Sequence, residues 1–152
     1  MLKENIIGIV AEYNPFHKGH AYQINTAKQA LHATGVIAVM SGNFTQRGEM
    51  ALLDKWQRTQ LALAGGVDLV LELPTIYALR SSESFGAGGV QSLAATGLVS
   101  HVVFGCETRE PELLAQIATE KISKAKLLPY LDKGLTYGAA VESYLQKLYP
   151  NS

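Results

Sequence analysis

Two histidines three positions apart, His17 and His20, enclose Lys18 and Gly19 just beyond an Asn14-Pro15 break. On a helix that spacing turns both rings to one side. Imidazoles with an ordinary pKa of about 6.5 donate hydrogen bonds in neutral and charged forms alike near neutral pH. Gly19 has no side chain and leaves room for a ligand to approach the backbone. At a helix start such a set meets free N–H groups and the positive end of the dipole, which suits a phosphate. The chemistry this fits is attack on the α-phosphate of a nucleoside triphosphate. Charge then builds on the phosphoryl oxygens and the departing pyrophosphate, and donors fixed beforehand stabilise it. No covalent intermediate with the protein is needed. A zinc site of the two-histidine helical kind would use spacing four and a glutamate, and no third ligand stands nearby.

The elements that position the pair follow from pattern. Ile6 to Ala11 is an apolar, β-branched run and reads as a strand buried on both faces. Asn14-Pro15 ends it, because proline cannot donate to a sheet ladder. A helix is expected from about Lys18, with Tyr22, Ile24, Ala27 and Leu31 as its apolar stripe. Further strands are expected over Val36 to Met40, Val67 to Leu73 and Val99 to Phe104. Between them fall a helix capped by Asp54, with Trp56, Leu61 and Leu63 as apolar surface, and one capped by Ser81 or Ser82 and running to about Ala95. Helical patterns follow from Glu110 to Lys121, around Leu127 to Leu131, and from Tyr137 to Leu148. Alternating strands and helices predict an α/β fold: a doubly wound, Rossmann-like parallel sheet of about four strands with extra C-terminal helices. Its ligands bind at the carboxyl ends of the strands.

At those ends lie Glu12-Tyr13-Asn14, Ser41 to Glu49, Glu72, and Gly105 to Glu107. Arg47 and Lys55 are the cations best placed to reach a phosphate or a carboxylate; the alternative is that both are solvated surface charges. Arg58 and Arg80 rank below them. Glu12 is a candidate to orient a donor or a magnesium-bound water, and Trp56 reads as helix packing rather than a base-stacking platform. Tyr13, Phe16 and Phe44 flank the expected pocket and would leave room only for a very small acid. No Walker-type phosphate loop and no G-x-G-x-x-G after the first strand are present, which disfavours P-loop enzymes and dinucleotide dehydrogenases.

The chain has 152 residues, enough for one α/β domain over 1–152. It is 47% hydrophobic and 17% charged, as globular proteins are. No apolar run approaches a membrane span, Cys106 is the only cysteine, and no signal peptide is expected ahead of the first strand. A cytoplasmic protein is expected. The formal net charge of zero lacks the basic excess that broad RNA binding brings.

The strings AEYNPFHKGH, VMSGNFTQRGE and DLVLELP, in that order, resemble the bacterial tRNA(Met) cytidine acetate ligases. His17-Lys18-Gly19-His20 resembles the HxGH signature of the wider, HIGH-type nucleotidyltransferase superfamily. The resemblance implies an ATP-dependent ligase that forms acetyl-adenylate and acetylates N4 of the wobble cytidine of elongator tRNA(Met). It implies ATP with Mg2+, and acetate and tRNA(Met) as the other partners. Catalysis would fall to His17, His20, Arg47 and Lys55. The ATP site would comprise Val10, Ala11, Glu12, Tyr13, Asn14, Pro15, Phe16, His17, Lys18, Gly19, His20, Ala21, Tyr22, Gln23, Gly105 and Asn151. Pantetheine-phosphate and nicotinamide-mononucleotide adenylyltransferases share the half-site, and a nucleotide-binding module without turnover would look similar. Family members are considerably longer, and the superfamily's serine- and basic-rich downstream motif is not seen after Glu107. The chain is therefore expected to be the amino-terminal catalytic half, to bind ATP weakly, not to acetylate tRNA alone, and to self-associate through apolar faces of its terminal helices.

Overall fold

The structure, a computed structural model, describes residues 4–106 and 110–150. Glu107 and Asn151 lie outside the described residues. Four strands, β1 (Ile6–Ala11), β2 (Gly35–Ser41), β3 (Leu69–Leu73) and β4 (His101–Val102), form one sheet in the order β3-β2-β1-β4. All neighbouring pairs are parallel. The strands are linked by α1 (Lys18–Leu31), α2 (Lys55–Ala64), a short α3 (Thr75–Ala78) and α4 (Ser82–Ala95).

Strand alternation sorts the core into two layers. Ile7 and Ile9 of β1 with Val36, Ala38 and Met40 of β2 pack against Ile24 and Ala27 of α1 and Ala62 of α2. Ile37 and Val39 of β2 with Leu73 face the opposite way, toward Ala78 and Leu93. Both faces are thus covered, the doubly wound arrangement expected. The chain runs outward from β1 to β3, then returns to place β4 on the other side of β1. The order of strands reverses there, and such a reversal opens a crevice at the carboxyl edge.

Several boundaries differ from expectation. Only His101 and Val102 of the fourth apolar run join the ladder, opposite Ile7 and Gly8. β3 starts at Leu69, because Asp68 uses its carboxylate to accept from Val36 N–H at 2.8 Å and Val67 turns into the core. Tyr22 is 72% exposed and lies off the stripe, since two positions from Ile24 is about 200° round a helix. Trp56, Leu61 and Leu63 are also exposed; α2 instead buries Arg58 and Ala62.

The chain divides into two compact units, Met1–Gly105 and Cys106–Ser152. The second contains α5 (Pro111–Thr119), α6 (Lys124–Leu131) and α7 (Tyr137–Leu148). Here α6 packs on α7, with Leu127 and Ala140 buried. Glu120 accepts from Lys126 Nζ at 2.5 Å and from Tyr144 O–H at 2.9 Å. Those bonds, that of Lys126 first, hold the Glu120 carboxyl below its ordinary range. No helix among the described residues is long and apolar enough to cross a membrane.

Candidate active site at the first strand-to-helix turn

Beyond Ala11 the backbone leaves the sheet through Tyr13, a non-glycine residue held at φ +46°, and a cis Asn14-Pro15 bond. A bulky residue in the left-handed region is uncommon and needs its surroundings to hold it there. Tyr13 is buried, its ring 4.9 Å edge-on from Phe16 and 4.8 Å from His20. Burial pushes its phenol up to about 12. It therefore stays protonated at neutral pH.

His17 then caps α1 in extended conformation (φ −140°, ψ 175°). Its Nδ1 accepts from Gly19 N–H at 3.1 Å, while His20 Nδ1 accepts from His17 N–H at 3.2 Å. This is a reciprocal capping box built from two imidazoles. A ring whose Nδ1 accepts carries its proton, when neutral, on Nε2. Among the described residues neither Nε2–H has a hydrogen-bond partner, so both are left to donate. The rings stack with centroids 3.6 Å apart at 24°. His20 is held below the ordinary histidine range, first by burial and then by the neighbouring His17. Gly19 has a more specific role than open access: a Cβ there would lie 2.9 Å from Cε1 of His17, so its absence admits the capping ring. No acidic residue occupies the first turn, and the positive end of the helix remains uncancelled.

This pair faces a cleft of about 570 Å³ at the β1–β4 reversal. Of the residues expected at a nucleotide, Val10, Ala11, Glu12, Tyr13, Asn14, Pro15, His17, His20, Gln23 and Gly105 are on its wall. Ile9 and Phe104 join them unforeseen, although the strand-end rule that singled out Gly105 reaches Phe104 beside it. Phe16 is turned away, its ring so close over Gly65 that no side chain fits there. Gly19 and Tyr22 line a second, more apolar hollow of about 660 Å³ along α1, shared with Phe104 and Gly105. Lys18 is exposed and Ala21 half-buried. Asn151 is outside the described residues.

The two candidate cations are not on the cleft wall. Lys55 Nζ sits 2.7 Å from Glu72 Oε2 in a separate crevice between α2 and the sheet. Arg47 is exposed in the loop after β2, as is Phe44. That loop is latched to the site: Gln46 N–H donates to the Glu12 carboxylate, and Leu52 N–H donates to Asn14 Oδ1 at 2.7 Å. Glu12 is thereby engaged by the backbone. Among the described residues no group of three His, Cys, Asp or Glu side chains is placed to hold a metal.

Arg58, ranked low on sequence, is fully buried. Its guanidinium donates to the carbonyls of Glu12 and Gly42, to Ser41 O at 2.9 Å and to Leu53 O at 3.3 Å. It ties the chain leaving β1 to the chain leaving β2. Burial lowers its affinity for its proton, and Glu12, Asp54 and Glu72 oppose that.

Fold and site together are those of a parallel α/β protein with a histidine signature at its first strand-to-helix turn. The chain belongs to the HIGH Nucleotidyl Transferase family, which it matches over residues 4–152. Within that class it is similar to the tRNA(Met) cytidine acetate ligase of Thermoanaerobacter sp. (strain X514), 46% identical over 152 residues, 97% of this chain and 38% of that protein. The ligase of the same name from Leuconostoc mesenteroides subsp. mesenteroides is 49% identical over 140 residues, 92% of this chain and 35% of that one. Among solved structures, Thermotoga maritima TmcAL bound with alpha-thio ATP superposes with a TM-score of 0.79 at 40% identity, over 96% of this chain and 37% of that one. The chain thus spans little more than a third of the length of the relatives it matches.

Proposed function

We propose that this chain carries the ATP site of a tRNA(Met) cytidine acetate ligase. The observation that carries the reading is the histidine capping box: it satisfies its own N–H groups with Nδ1 and turns two Nε2 donors outward at an uncancelled helix end. The ATP triphosphate lies against these donors, with the adenosine toward Gln23, Phe104 and Gly105. A carboxylate oxygen of acetate bonds to the α-phosphorus as the bond to the β-phosphate oxygen breaks. The products are acetyl-adenylate and pyrophosphate. The N4 amine of the wobble cytidine then attacks the acetyl carbonyl, loses a proton, and AMP departs. His17 and His20 hold the charge that develops in the first step. Arg47, on the latched loop, is the cation assigned to the departing pyrophosphate. Lys55 takes part only by leaving Glu72. Magnesium, absent a protein cage among the described residues, would come with the phosphates and their waters, as that ion usually does.

The similarity to ligases at 46 and 49% identity supports acetate and tRNA as co-substrates, and a cytoplasmic setting goes with them. Transfer to RNA is assigned to the whole protein rather than to this third of it. The test is ATP–pyrophosphate exchange, run on this chain and on a full-length relative, with and without acetate. Exchange that requires acetate supports the reading. Exchange that instead requires a phosphorylated small molecule would move the chain to the small-molecule adenylyltransferases.

A further inference from the structure

We propose that Trp56 and the crevice beside it are a stacking site for an unpaired RNA base, an inference that rests on RNA being the acyl acceptor. Tryptophan is normally well buried, yet Trp56 is 70% exposed in the first turn of α2, next to the carboxyl edge of the sheet. Lys55 Nζ lies 5.3 Å from the centroid of its ring. At that distance the ammonium is attracted to the face of the ring. The crevice beside it, about 200 Å³, has Met40, Thr59 and Val70 on its walls and the Lys55–Glu72 pair at its polar side. Half-exposed, the pair presents an ammonium donor next to a carboxylate acceptor. A base edge with an exocyclic amine next to a ring nitrogen, as in cytosine or adenine, matches that order: the amine donates to Glu72 and the ring nitrogen accepts from Lys55.

Proteins that hold single strands stack successive bases on aromatic faces beside a positively charged groove, and each stacked base adds affinity whatever its sequence. Met50 and Leu52 on the preceding loop are exposed as well. The same patch could instead bind a second copy of the chain. The exposed ion pair inside it argues against that, since the centres of protein interfaces are depleted of charge.

Trp56 is the only tryptophan in the sequence, so its emission reports on this site alone. Titration with a seven-nucleotide single-stranded RNA containing cytidine is expected to quench it, and the same sequence held in a duplex is not. Trp56→Leu should weaken binding of the labelled single strand about 5- to 150-fold with an unchanged thermal midpoint, and Trp56→Phe should recover most of the loss. Quenching that is absent, or equal affinity in Trp56→Leu, overturns the site. Loss of a chain dimer in Trp56→Leu, with RNA affinity unchanged, would assign the patch to self-association and overturn it too. Acetate-dependent exchange by the wild type is scored separately: its absence counts against the ligase reading, while the RNA titration still judges Trp56.

Discussion

The helices that leave β1 and β2 begin in the same setting and are finished in different ways. Each follows a polar turn at the carboxyl edge of the sheet, and each must satisfy the same free N–H groups. At α2 this falls to Asp54, whose Oδ1 accepts from Gln57 N–H at 2.8 Å and sets a negative charge on the positive end of the helix. At α1 it falls to His17 and His20, which accept with Nδ1 and leave the end uncancelled. An aspartate cap closes a helix start to anions; an imidazole cap leaves it open and adds donors. The position of a helix start is therefore not enough to mark a phosphate site. What remains after the cap is satisfied marks it.

The comparison breaks first at Arg58. If the start of α2 is structural, removing the guanidinium should cost stability heavily, because the carbonyls of Glu12, Ser41, Gly42 and Leu53 lose their donor together. Arg58→Leu is expected to lose more than about 3 kcal/mol, at 1–3 kcal/mol for an unsatisfied buried group. Arg58→Lys should recover part of that, since an ammonium lacks the planar fork. Urea denaturation measures both. A loss below 1 kcal/mol would show that water replaces the guanidinium and that the two strand ends are not tied through it.

The start of α1 should respond in activity instead. His20→Ala is expected to slow acetate-dependent exchange roughly 100- to 1000-fold, the usual effect of losing one preorganised donor to developing charge. Asp54→Ala is the counterpart: a loss of about 1 kcal/mol in unfolding free energy, with the exchange rate unchanged. Should Asp54→Ala and His20→Ala affect rate alike, the distinction between the two caps would collapse.

Much of this was legible without coordinates, and the exceptions have physical causes. β-branched runs showed the strands, Asn14-Pro15 and Asp54 the helix starts, and alternation the parallel sheet, because each is a local preference. The histidine pair was legible by spacing. Its tautomers were not, since they depend on which N–H each Nδ1 meets. Arg58 was hidden because arginines are mostly exposed, and only the meeting of two strand ends creates the carbonyl cluster that draws it in. Trp56 was misread for the same reason: with Arg58 inward, the residue two positions before it on α2 must face out.

The smallest effect is the pH dependence of the α1 cap, and it separates capping from catalysis. Burial and then His17 hold His20 below the ordinary histidine value of 6.5 in the folded chain. The unfolded chain therefore binds more protons in the window between that value and the lower folded one. Stability from this group is fully present above pH 6.5 and is lost as pH falls through that window. Protonation also removes the Nδ1 lone pair that accepts from His17 N–H. Glutamine is, with glutamate, one of the two usual residues at this position of a capping box; it accepts the same bond and does not titrate. His20→Gln should thus fold as well as the wild type at pH 8, lose less stability than the wild type on acidification below 6.5, and still slow exchange, because its amide N–H2 sits on a different stem and does not stand where the imidazole Nε2–H stood. Unfolding free energies of both proteins across that range, set beside their exchange rates, are the measurement. An unchanged acid slope in the variant would mean that His20 is not the group that titrates. Full exchange activity in it would mean that an amide donor serves the phosphate as well as the imidazole does, and that titration of His20 matters only to the helix.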